Sequence, residues 1–380
     1  MSSSGTVTAN QTYYNKWNQL ILMEMHEKEK IITKMTLKDL KIEWVDDDAL
    51  NKFYFKPQKK DKHVRQEGDV VRLRHQDWEA TGVIFDLPSN QMKEPVNSSD
   101  KKYEGIGVVL DAPWTYVGPV PKHINKGFTL HWEFNQINFV RIKNSLANFC
   151  HNFNTNGDDD EQVNISAEVR DKILGSKSKK KTFGPAVVPA LNRTKANLPP
   201  LNKSQRKAMM SCLLNCLTLV QGPPGTGKTV TGVNIIYNLF RETNAKRETK
   251  VLVCASSNVA VDNMAEKLAL IKGLNVVRVY SKAKEMFAKK GNVKLLKISL
   301  HKLSVKKEPQ LKDLYQSQRY LSKQEFLELS RLKTRTEHVI LESADIICCT
   351  CSAAGDTRLD GLVFNSLLIA KVVRLPNQRL

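Results

Sequence analysis

The sequence predicts an α/β chain built around a parallel sheet, with a smaller all-β domain ahead of it. Three observations lead to this prediction. The stretch 222–229 reads GPPGTGKT and fits the phosphate-binding loop pattern G-x-x-x-x-G-K-[ST]. Apolar runs without polar alternation recur after residue 201, as in strands that are buried on both faces of a parallel sheet. Short strand-like segments separated by turn residues fill about 53–139, which is typical of a small β-barrel.

The part of the chain before the phosphate-binding loop divides by composition. Residues 12–36 mix apolar side chains with Glu and Lys, which predicts an amphipathic helix. We therefore assign 1–52 to a tail and a stalk helix, and 53–140 to the β-barrel. A helix from Arg141 and a charged, proline-containing linker occupy 141–200. The acidic and basic runs of this linker are read as solvated chain, with an RNA-binding or nuclear-import patch as the alternative for the lysines.

The region 201–380 has the pattern of the parallel α/β domain. Its strand candidates are 217–220, 250–254, 276–280, 345–349 and 366–369. The stretch 282–343 is long, charged and helix-forming, so we read it as a helical insertion rather than a simple crossover.

The net charge and the apolar runs restrict the class of protein. A formal net charge of +20 on 380 residues points to a polyanion such as nucleic acid. The alternative is a basic protein without such a partner. No apolar run approaches the ~18 residues that a membrane span needs. The first ten residues also lack the apolar core of a signal peptide. Seven cysteines without zinc spacing are read as reduced packing residues, so a cytoplasmic protein is expected.

The phosphate-binding loop has the flanks that its chemistry requires. An apolar run over 217–220 precedes it, and a helical pattern from Thr229 to Phe240 follows. The glycines let the backbone N–H groups point at phosphate oxygens, Lys228 can reach the β- and γ-phosphates, and Thr229 can ligate Mg²⁺. The start of the helix adds its own attraction for an anion. The sequence therefore predicts a nucleotide site.

Polar side chains follow several of the predicted strands. Gln205 precedes the loop and can pair with the N6/N7 edge of adenine, or it is an ordinary surface residue. Ser257 and Asn258 follow the second strand and can contact phosphate and sugar, cap the next helix, or do both. The stretch 350–358 forms a further polar turn on the same predicted sheet edge.

Five segments carry a resemblance to a known family. They are LNKSQ at 201–205, QGPPGTGKT at 221–229, VCASSNVAVD at 253–262, VVRVYSKAKE at 276–285 and ADIICCTCSAAGD at 344–356. Their order and gaps are similar to those of superfamily-one RNA helicases, and most of all to the up-frameshift helicases, or regulators of nonsense transcripts, of nonsense-mediated mRNA decay. The resemblance covers about 8–369 and includes the stalk helix and the β-barrel.

The resemblance implies a RecA-like domain that binds ATP and Mg²⁺. The residues that it assigns to the nucleotide are Gln205, Gly222, Gly225, Thr226, Gly227, Lys228 and Thr229, with Gln205 on adenine and Thr229 on the metal. The residues that it assigns to single-stranded RNA are Ser257, Asn258, Ser281, Lys282 and Thr350. The β-barrel and the 282–343 insertion would flank the RNA. Decay and translation-termination factors are the partners implied, although the family's zinc domain, which binds a decay partner, is absent from this chain.

The chain departs from the family pattern at the metal-binding acidic pair. The strand 366–369 should be followed by Asp-Glu, but Ala370 and Lys371 stand there, and Ser256 replaces a customary proline. The second RecA-like domain is also missing. We therefore expect a chain that binds nucleotide without useful hydrolysis. The tail 370–380 has the character of translated intron, a frameshift or a spliced short form.

Several functions remain open from the sequence. The leading one is an ATP-dependent RNA helicase of nonsense-mediated mRNA decay, represented by its ATP- and RNA-binding N-terminal portion. A non-catalytic RNA-binding isoform or a broken gene model is the alternative. An unrelated P-loop kinase or GTPase fits the loop but not the motifs downstream. DNA in place of RNA is also open, since phosphate contacts do not separate the two.

Overall fold

The structure is a computed structural model with two β-sheets and ten α-helices in its described part. It describes residues 9–45, 51–56, 68–86, 105–111, 118–151, 167–175, 198–244, 250–287, 293–312, 314 and 321–370. The charge runs of the linker and the tail from 371 lie outside the described residues. In the described ranges, no helix combines the length and apolar content that are needed to cross a bilayer.

The first helix, α1, spans Ala9–Ile32 and ends four residues before the predicted end. Thr36 instead opens strand β1, because Thr36–Leu40 pairs antiparallel with a later strand. Helix α1 packs against α2, Ile137–His151, and the ring centroids of Tyr13 and Phe149 lie 5.7 Å apart. The two helices therefore form a packed pair.

The first sheet is antiparallel and has seven strands. They are β1 Thr36–Leu40, β2 Ile42–Trp44, β3 Lys52–Phe55, β4 Val70–His75, β5 Trp78–Asp86, β6 Ile106–Leu110 and β7 Phe128–Trp132. Their order in the sheet is β1-β7-β4-β5-β6-β3-β2. Strands β1 and β2 are separated by Lys41 alone, so the two ends of the sheet are consecutive pieces of one bent segment.

Aromatic and branched side chains from the strands of this sheet form one buried apolar core. Phe53, Leu73, Phe128 and Leu130 are fully buried in a single apolar cluster. Burial of each such side chain contributes about 1.5–3 kcal/mol to folding. Gly107 has a steric role, because a Cβ there would lie 2.8 Å from the Phe85 ring.

The second sheet is parallel and has four strands. They are β8 Val251–Ala255, β9 Val276–Arg278, β10 Ile346–Thr350 and β11 Ser366–Ala370, in the order β11-β8-β10-β9. Along β10, Ile346 and Cys348 belong to one buried cluster, whereas Ile347 and Cys349 belong to another. The prediction of a parallel sheet buried on both faces is therefore confirmed for the inner strands.

Helices cover the two faces of the parallel sheet. Helices α5, Lys228–Asn244, and α6, Asn258–Ala269, share one cluster with it. Helices α9, Leu300–Lys307, and α10, Lys323–Glu342, share the other. The remaining helices are α3 Ala167–Leu174, α4 Lys203–Leu214, α7 Lys282–Phe287 and α8 Val293–Leu296, and a 3-10 turn spans Pro309–Leu311.

The predicted strand over 217–220 is wrong. The segment has no ladder partner among the described residues, and Leu219 is 93% exposed. Local hydrogen bonds hold the start of this segment at the end of α4 instead. The Asn215 side-chain amide and the Thr218 hydroxyl both donate to the Ser211 carbonyl, at 2.8 and 3.1 Å. Strand β11 is consequently an edge strand.

Candidate nucleotide and nucleic-acid site

The predicted phosphate-binding loop lies between α4 and α5 and has an open, strongly turned backbone. Gly225 and Gly227 have φ values of +79° and +75°, which side chains with a Cβ rarely adopt. Helix α5 begins directly after them, at Lys228. The first N–H groups of a helix have no intrahelical acceptor and attract anions. The loop is therefore shaped to receive a phosphate group.

The Lys228 ammonium is folded back over the loop. Its Nζ donates to the carbonyls of Gly222 at 2.9 Å and Pro223 at 2.6 Å. The Thr226 hydroxyl also donates to the Pro223 carbonyl, at 2.8 Å. These acceptors are neutral, and an anionic phosphate oxygen makes a shorter and stronger bond to an ammonium. The same lysine is thus positioned to exchange loop carbonyls for phosphate oxygens.

Gln205 lies against this loop from α4. Its Nε2 donates to the Thr226 carbonyl at 3.0 Å, and its Oε1 accepts from the Asn202 backbone N–H at 3.0 Å. The second bond completes a capping box, because the Asn202 side chain accepts from the Gln205 N–H. A Gln amide has two donors and two acceptor lone pairs, and these bonds use one of each. The reading of Gln205 as a plain surface residue is therefore too simple.

The five residues assigned to RNA by resemblance lie at one edge of the parallel sheet. Strands β8, β9 and β10 run parallel, so their carboxyl ends meet at the same edge. The residues that follow these ends are Ser257, Asn258, Ser281, Lys282 and Thr350, the last of which ends β10 itself. Ser257, Ser281 and Lys282 are exposed. We call this set the strand-end surface.

Four members of the strand-end surface also have structural bonds, and in one of these the Lys284 N–H donates to the Ser281 hydroxyl at 3.4 Å. The Ser257 hydroxyl caps α6 by accepting from the Ala260 N–H at 3.3 Å, so the capping hypothesis is confirmed for Ser257. The Asn258 Oδ1 accepts from the Arg278 guanidinium at 2.9 Å. The Thr350 hydroxyl accepts from the Ala353 N–H at 3.2 Å. These bonds orient the polar groups at the edge of the sheet.

Arg278 supports the strand-end surface and was missed in the sequence. Its side chain is fully buried, with Nε 2.7 Å from the Asp262 Oδ1 and the guanidinium 4.0 Å from the Tyr280 ring centroid. The Tyr280 hydroxyl donates to the same carboxylate at 3.1 Å, and burial raises the pKa of Tyr280 to about 12. The sequence feature that could have identified Arg278 is its position as a single charged residue within the apolar run VVRVY.

His301 is a buried titratable group behind this surface. It lies on α9 with 2% of its surface exposed, and its ring centroid is 6.3 Å from that of Tyr280. Burial lowers the pKa of His301 to about 4, and the charges of Lys302, Lys333 and Arg358 add to this effect. The folded protein therefore keeps the ring neutral where an unfolded chain would already bind a proton.

We expect His301 to make folding stability decline as the pH falls from about 6.5 to 4. The unfolded chain takes up the proton first, so the stability held by the neutral ring is present above pH 6.5 and is lost in this window. A lowering of the His301 pKa to about 4 corresponds to a loss of about 3 kcal/mol in the free energy of unfolding. Urea unfolding of the chain and of His301→Gln, at pH 7.5 and 4.5, measures it.

The exposed His338 provides the matched control for that prediction. His338→Gln on α10 replaces a histidine at the surface, 3.4 Å from the Glu342 carboxylate. This histidine lacks the burial that acts on His301, and the pH profile of its variant is the reference for the His301→Gln profile. Burial also raises the pKa of Glu285 and of Glu337, but both carboxyls are present in all three proteins and cancel in the comparison. Equal pH profiles for the unsubstituted chain and His301→Gln would contradict the prediction.

Comparison with known proteins extends what the geometry indicates. A family model described as an AAA domain matches residues 200–327, which include the phosphate-binding loop and most of the strand-end surface. The chain is 30% identical to "Regulator of nonsense transcripts 1 homolog" of Arabidopsis thaliana, over 94% of this chain and 27% of that protein.

Two fungal helicases have a similar level of sequence identity to the chain. The chain is 32% identical to "ATP-dependent helicase upf1" of Schizosaccharomyces pombe, over 92% of this chain and 36% of the relative. It is also 32% identical to "ATP-dependent helicase NAM7" of Saccharomyces cerevisiae, over 78% of this chain and 27% of the relative. The chain thus spans about a third or less of the length of these relatives.

Proposed function

The chain belongs to the regulator-of-nonsense-transcripts helicases, and we propose that it forms the ATP- and RNA-binding N-terminal portion of an ATP-dependent RNA helicase of nonsense-mediated mRNA decay. The single observation that carries this proposal is the geometry of the α/β domain. A phosphate-binding loop with Gln205 beside it occurs in the same domain as an exposed row of small polar and basic residues at the strand ends.

In the nucleotide site, each residue has a distinct proposed role. The backbone from Gly222 to Gly227 wraps the phosphates, Lys228 neutralises them, and Gln205 reads the adenine edge. The Thr229 hydroxyl is the protein oxygen proposed for Mg²⁺. Mg²⁺ sites in proteins use one or two carboxylates together with nucleotide phosphates. Because β11 ends at Ala370 and Lys371 follows it, no carboxylate stands at these two positions, and the metal would rely on the nucleotide itself.

At the strand-end surface we propose single-stranded RNA as the ligand. Hydroxyls and an amide contact phosphate and sugar without reading sequence, and Lys282 adds charge. Helix α7, which carries Lys282, contacts strand β5 of the antiparallel sheet. This contact supports a role for that sheet, as the predicted β-barrel, in flanking the RNA together with the 282–343 insertion. Single-stranded DNA is the competing ligand.

The protein partners and the cellular location of the chain are proposed from the family to which it belongs. We propose decay and translation-termination factors as partners, and the cytoplasm as the place of action.

A binding function without turnover is the second candidate. It is favoured by Ala370 and Lys371, which stand at the positions where the family has Asp-Glu. A lysine cannot hold Mg²⁺ or activate water. In this case the chain binds RNA and nucleotide but does not move along the RNA.

RNA affinity as a function of salt tests the proposed function. We expect Lys282→Gln to weaken binding of a fluorescein-labelled 15-nucleotide RNA and to reduce the slope of log K against log salt by about 0.7, the value for one contact on a single strand. Lys272→Gln is the matched control, because Lys272 is exposed but precedes β9 at the opposite edge of the sheet. Fluorescence anisotropy gives both quantities.

Two results would go against this function. Equal slopes for the two lysine variants would remove Lys282 from the interface. A failure of the unsubstituted chain to bind RNA at low salt would contradict RNA binding as such. Tighter binding of the matching DNA would favour the DNA alternative.

A further inference from the structure

A largely buried group of six charges lies under the strand-end surface, with Arg141 and Lys333 at its partly exposed rim. Its members are Arg141, Glu285, Lys333, Glu337, Asp356 and Arg358, three positive and three negative. They come from α2, α7, α10 and the turns after β10. We call this group the charge cluster.

Arg358 is the centre of the charge cluster. Its NH1 lies 2.6 Å from the Glu285 Oε1, and its Nε lies 3.0 Å from the Asp356 Oδ1. Its NH2 donates to the Tyr280 carbonyl at 2.6 Å. The side chain is 5% exposed. One guanidinium thus binds acceptors from the turn after β9, from helix α7 and from the turn after β10.

The cluster extends from Arg358 in two directions. Toward α10, Lys333 lies 3.8 Å from the Glu285 Oε2 and 3.7 Å from the Glu337 Oε1. Toward α2, the Arg141 NH2 lies 2.7 Å from the Asp356 Oδ2, and its NH1 donates to the Ser352 carbonyl at 3.1 Å. Helix α2 follows the last strand of the antiparallel sheet, so the cluster joins the two parts of the protein.

Burial makes the four inner members of this cluster, Glu285, Glu337, Asp356 and Arg358, dependent on their partners. Desolvation raises the pKa of Glu285 and of Glu337, and the nearby Arg358 and Lys333 oppose that rise. Removing one partner leaves another buried charge uncompensated, which destabilises the local arrangement. The cluster therefore has one favoured geometry rather than a range of geometries.

We propose that Arg358 is a positioning residue for nucleic-acid binding. It holds the 280–285 turn against the 350–358 turn and, through Asp356 and Arg141, ties both to α2. The ligand in this inference rests on the proposed function. Arg358 itself does not touch the nucleic acid, since its guanidinium is buried and its donors are occupied by protein acceptors.

The position of Glu285 explains how a buried contact acts on exposed residues. Glu285 is buried in α7, three residues after the exposed Lys282. Bonding of Glu285 to Arg358 fixes the start of α7, and with it Ser281 and Lys282. At the other turn, Asp356 follows Thr350 by six residues and bonds the same arginine. A shift of Arg358 would therefore displace two of the three strand ends together.

The geometry of these bonds also explains why residue 358 is an arginine and not a lysine. A guanidinium presents five N–H donors in a planar fork, whereas an ammonium presents three donors from a single atom. Arg358 uses Nε, NH1 and NH2 on different acceptors. A lysine would keep the positive charge, but its single ammonium group could not reach all of these acceptors. Arg358→Lys is therefore the variant that separates geometry from charge.

Hydrogen exchange and RNA affinity of the full chain together test the inference. In Arg358→Lys we expect faster amide exchange in peptides covering 279–287 and 350–359. We also expect the Kd for a fluorescein-labelled 15-nucleotide RNA to rise about fivefold to tenfold. The salt slope should stay unchanged, because no phosphate contact of Arg358 is lost. Arg335→Lys, on the exposed face of α10, is the matched control for both readouts.

Arg141→Gln is the second variant, chosen because this residue lies at the rim of the cluster. Its side chain is 23% exposed, and its loss leaves the Arg358 bonds to Glu285 and Asp356 in place. We expect faster exchange at 350–359 and a smaller rise in Kd. The double variant should weaken RNA binding by less than the product of the single effects, because both act through Asp356.

The outcomes distinguish this inference from the proposed function. Unchanged exchange at both turns in a folded Arg358→Lys chain would overturn the positioning role. Faster exchange with an unchanged Kd would make Arg358 a structural residue only, and would also overturn it. If the unsubstituted chain binds no RNA, the proposed function and the ligand named here fail. The exchange data still decide whether Arg358 holds the two turns together.

Discussion

Replacing Lys228 with alanine is expected to weaken ATP binding by about 10- to 150-fold, the value of one charge-assisted hydrogen bond. Lys228 is exposed at the start of α5, and its ammonium bonds the Gly222 and Pro223 carbonyls. Because it holds no buried partner, its loss should remove phosphate affinity without unfolding the domain. Titration with a fluorescent ATP analogue, with unlabelled ATP as competitor, measures the change.

The control for this substitution is Lys207→Ala. Lys207 is an exposed lysine of α4, the helix that also carries Gln205. Its replacement changes the net charge equally but should leave the affinity for ATP unchanged. Thermal unfolding of both variants should match that of the unsubstituted chain. A Lys228→Ala chain that binds ATP as tightly as Lys207→Ala would contradict the assignment of the loop.

The chain is expected to release phosphate from ATP no faster than its Lys228→Ala variant, with or without single-stranded RNA. The physical reason lies at the carboxyl end of β11. Ala370 and Lys371 supply neither an oxygen ligand for Mg²⁺ nor a carboxylate to position the attacking water. A coupled assay for inorganic phosphate, followed over hours at saturating ATP, measures the rate. Release that RNA stimulates and that Lys228→Ala abolishes would contradict this prediction.

A double substitution tests the local cause that we propose for an absence of turnover. Ala370→Asp combined with Lys371→Glu restores the acidic pair that the family resemblance implies. We expect the ATP affinity of this variant to become dependent on Mg²⁺, because a carboxylate then joins Thr229 as a metal ligand. The matched control is Lys371→Gln, which removes the positive charge without adding a ligand. Identical Mg²⁺ dependence in the two variants would show that position 370 does not reach the metal.

Much of the fold was predictable because its signals are local. The phosphate-binding loop is a contiguous motif, and its glycines have the positive φ angles that the motif requires. Strands β8 and β10 lie within one residue of their predicted bounds, since runs of apolar residues buried on both faces are easy to recognise. The segment 217–220 has the same apolar character but forms no strand. Hydrogen bonds to Ser211, outside the run itself, decide its position.

The candidate site was predictable in part for a similar reason. Ser257 and Thr350 could be found because each lies at or near the end of an apolar segment, whereas Ser281 was assigned from the family resemblance. Arg358 could not, because its partner Glu285 is 73 residues away in sequence. Arg141 and Asp356 are 215 residues apart. No periodicity or spacing relates such residues until the chain has folded.

The sequence by itself determined the phosphate-binding loop, the inner strands of the parallel sheet, the family and the replacement of the acidic pair by Ala370 and Lys371. Each of these depends on residues that are neighbours in the chain. The tertiary structure alone decided that Arg278 and the charge cluster lie buried beneath the strand-end surface. It also decided that β11 is an edge strand. A buried charge is stable only where distant segments bring its partners within bonding distance, and only the folded chain does so.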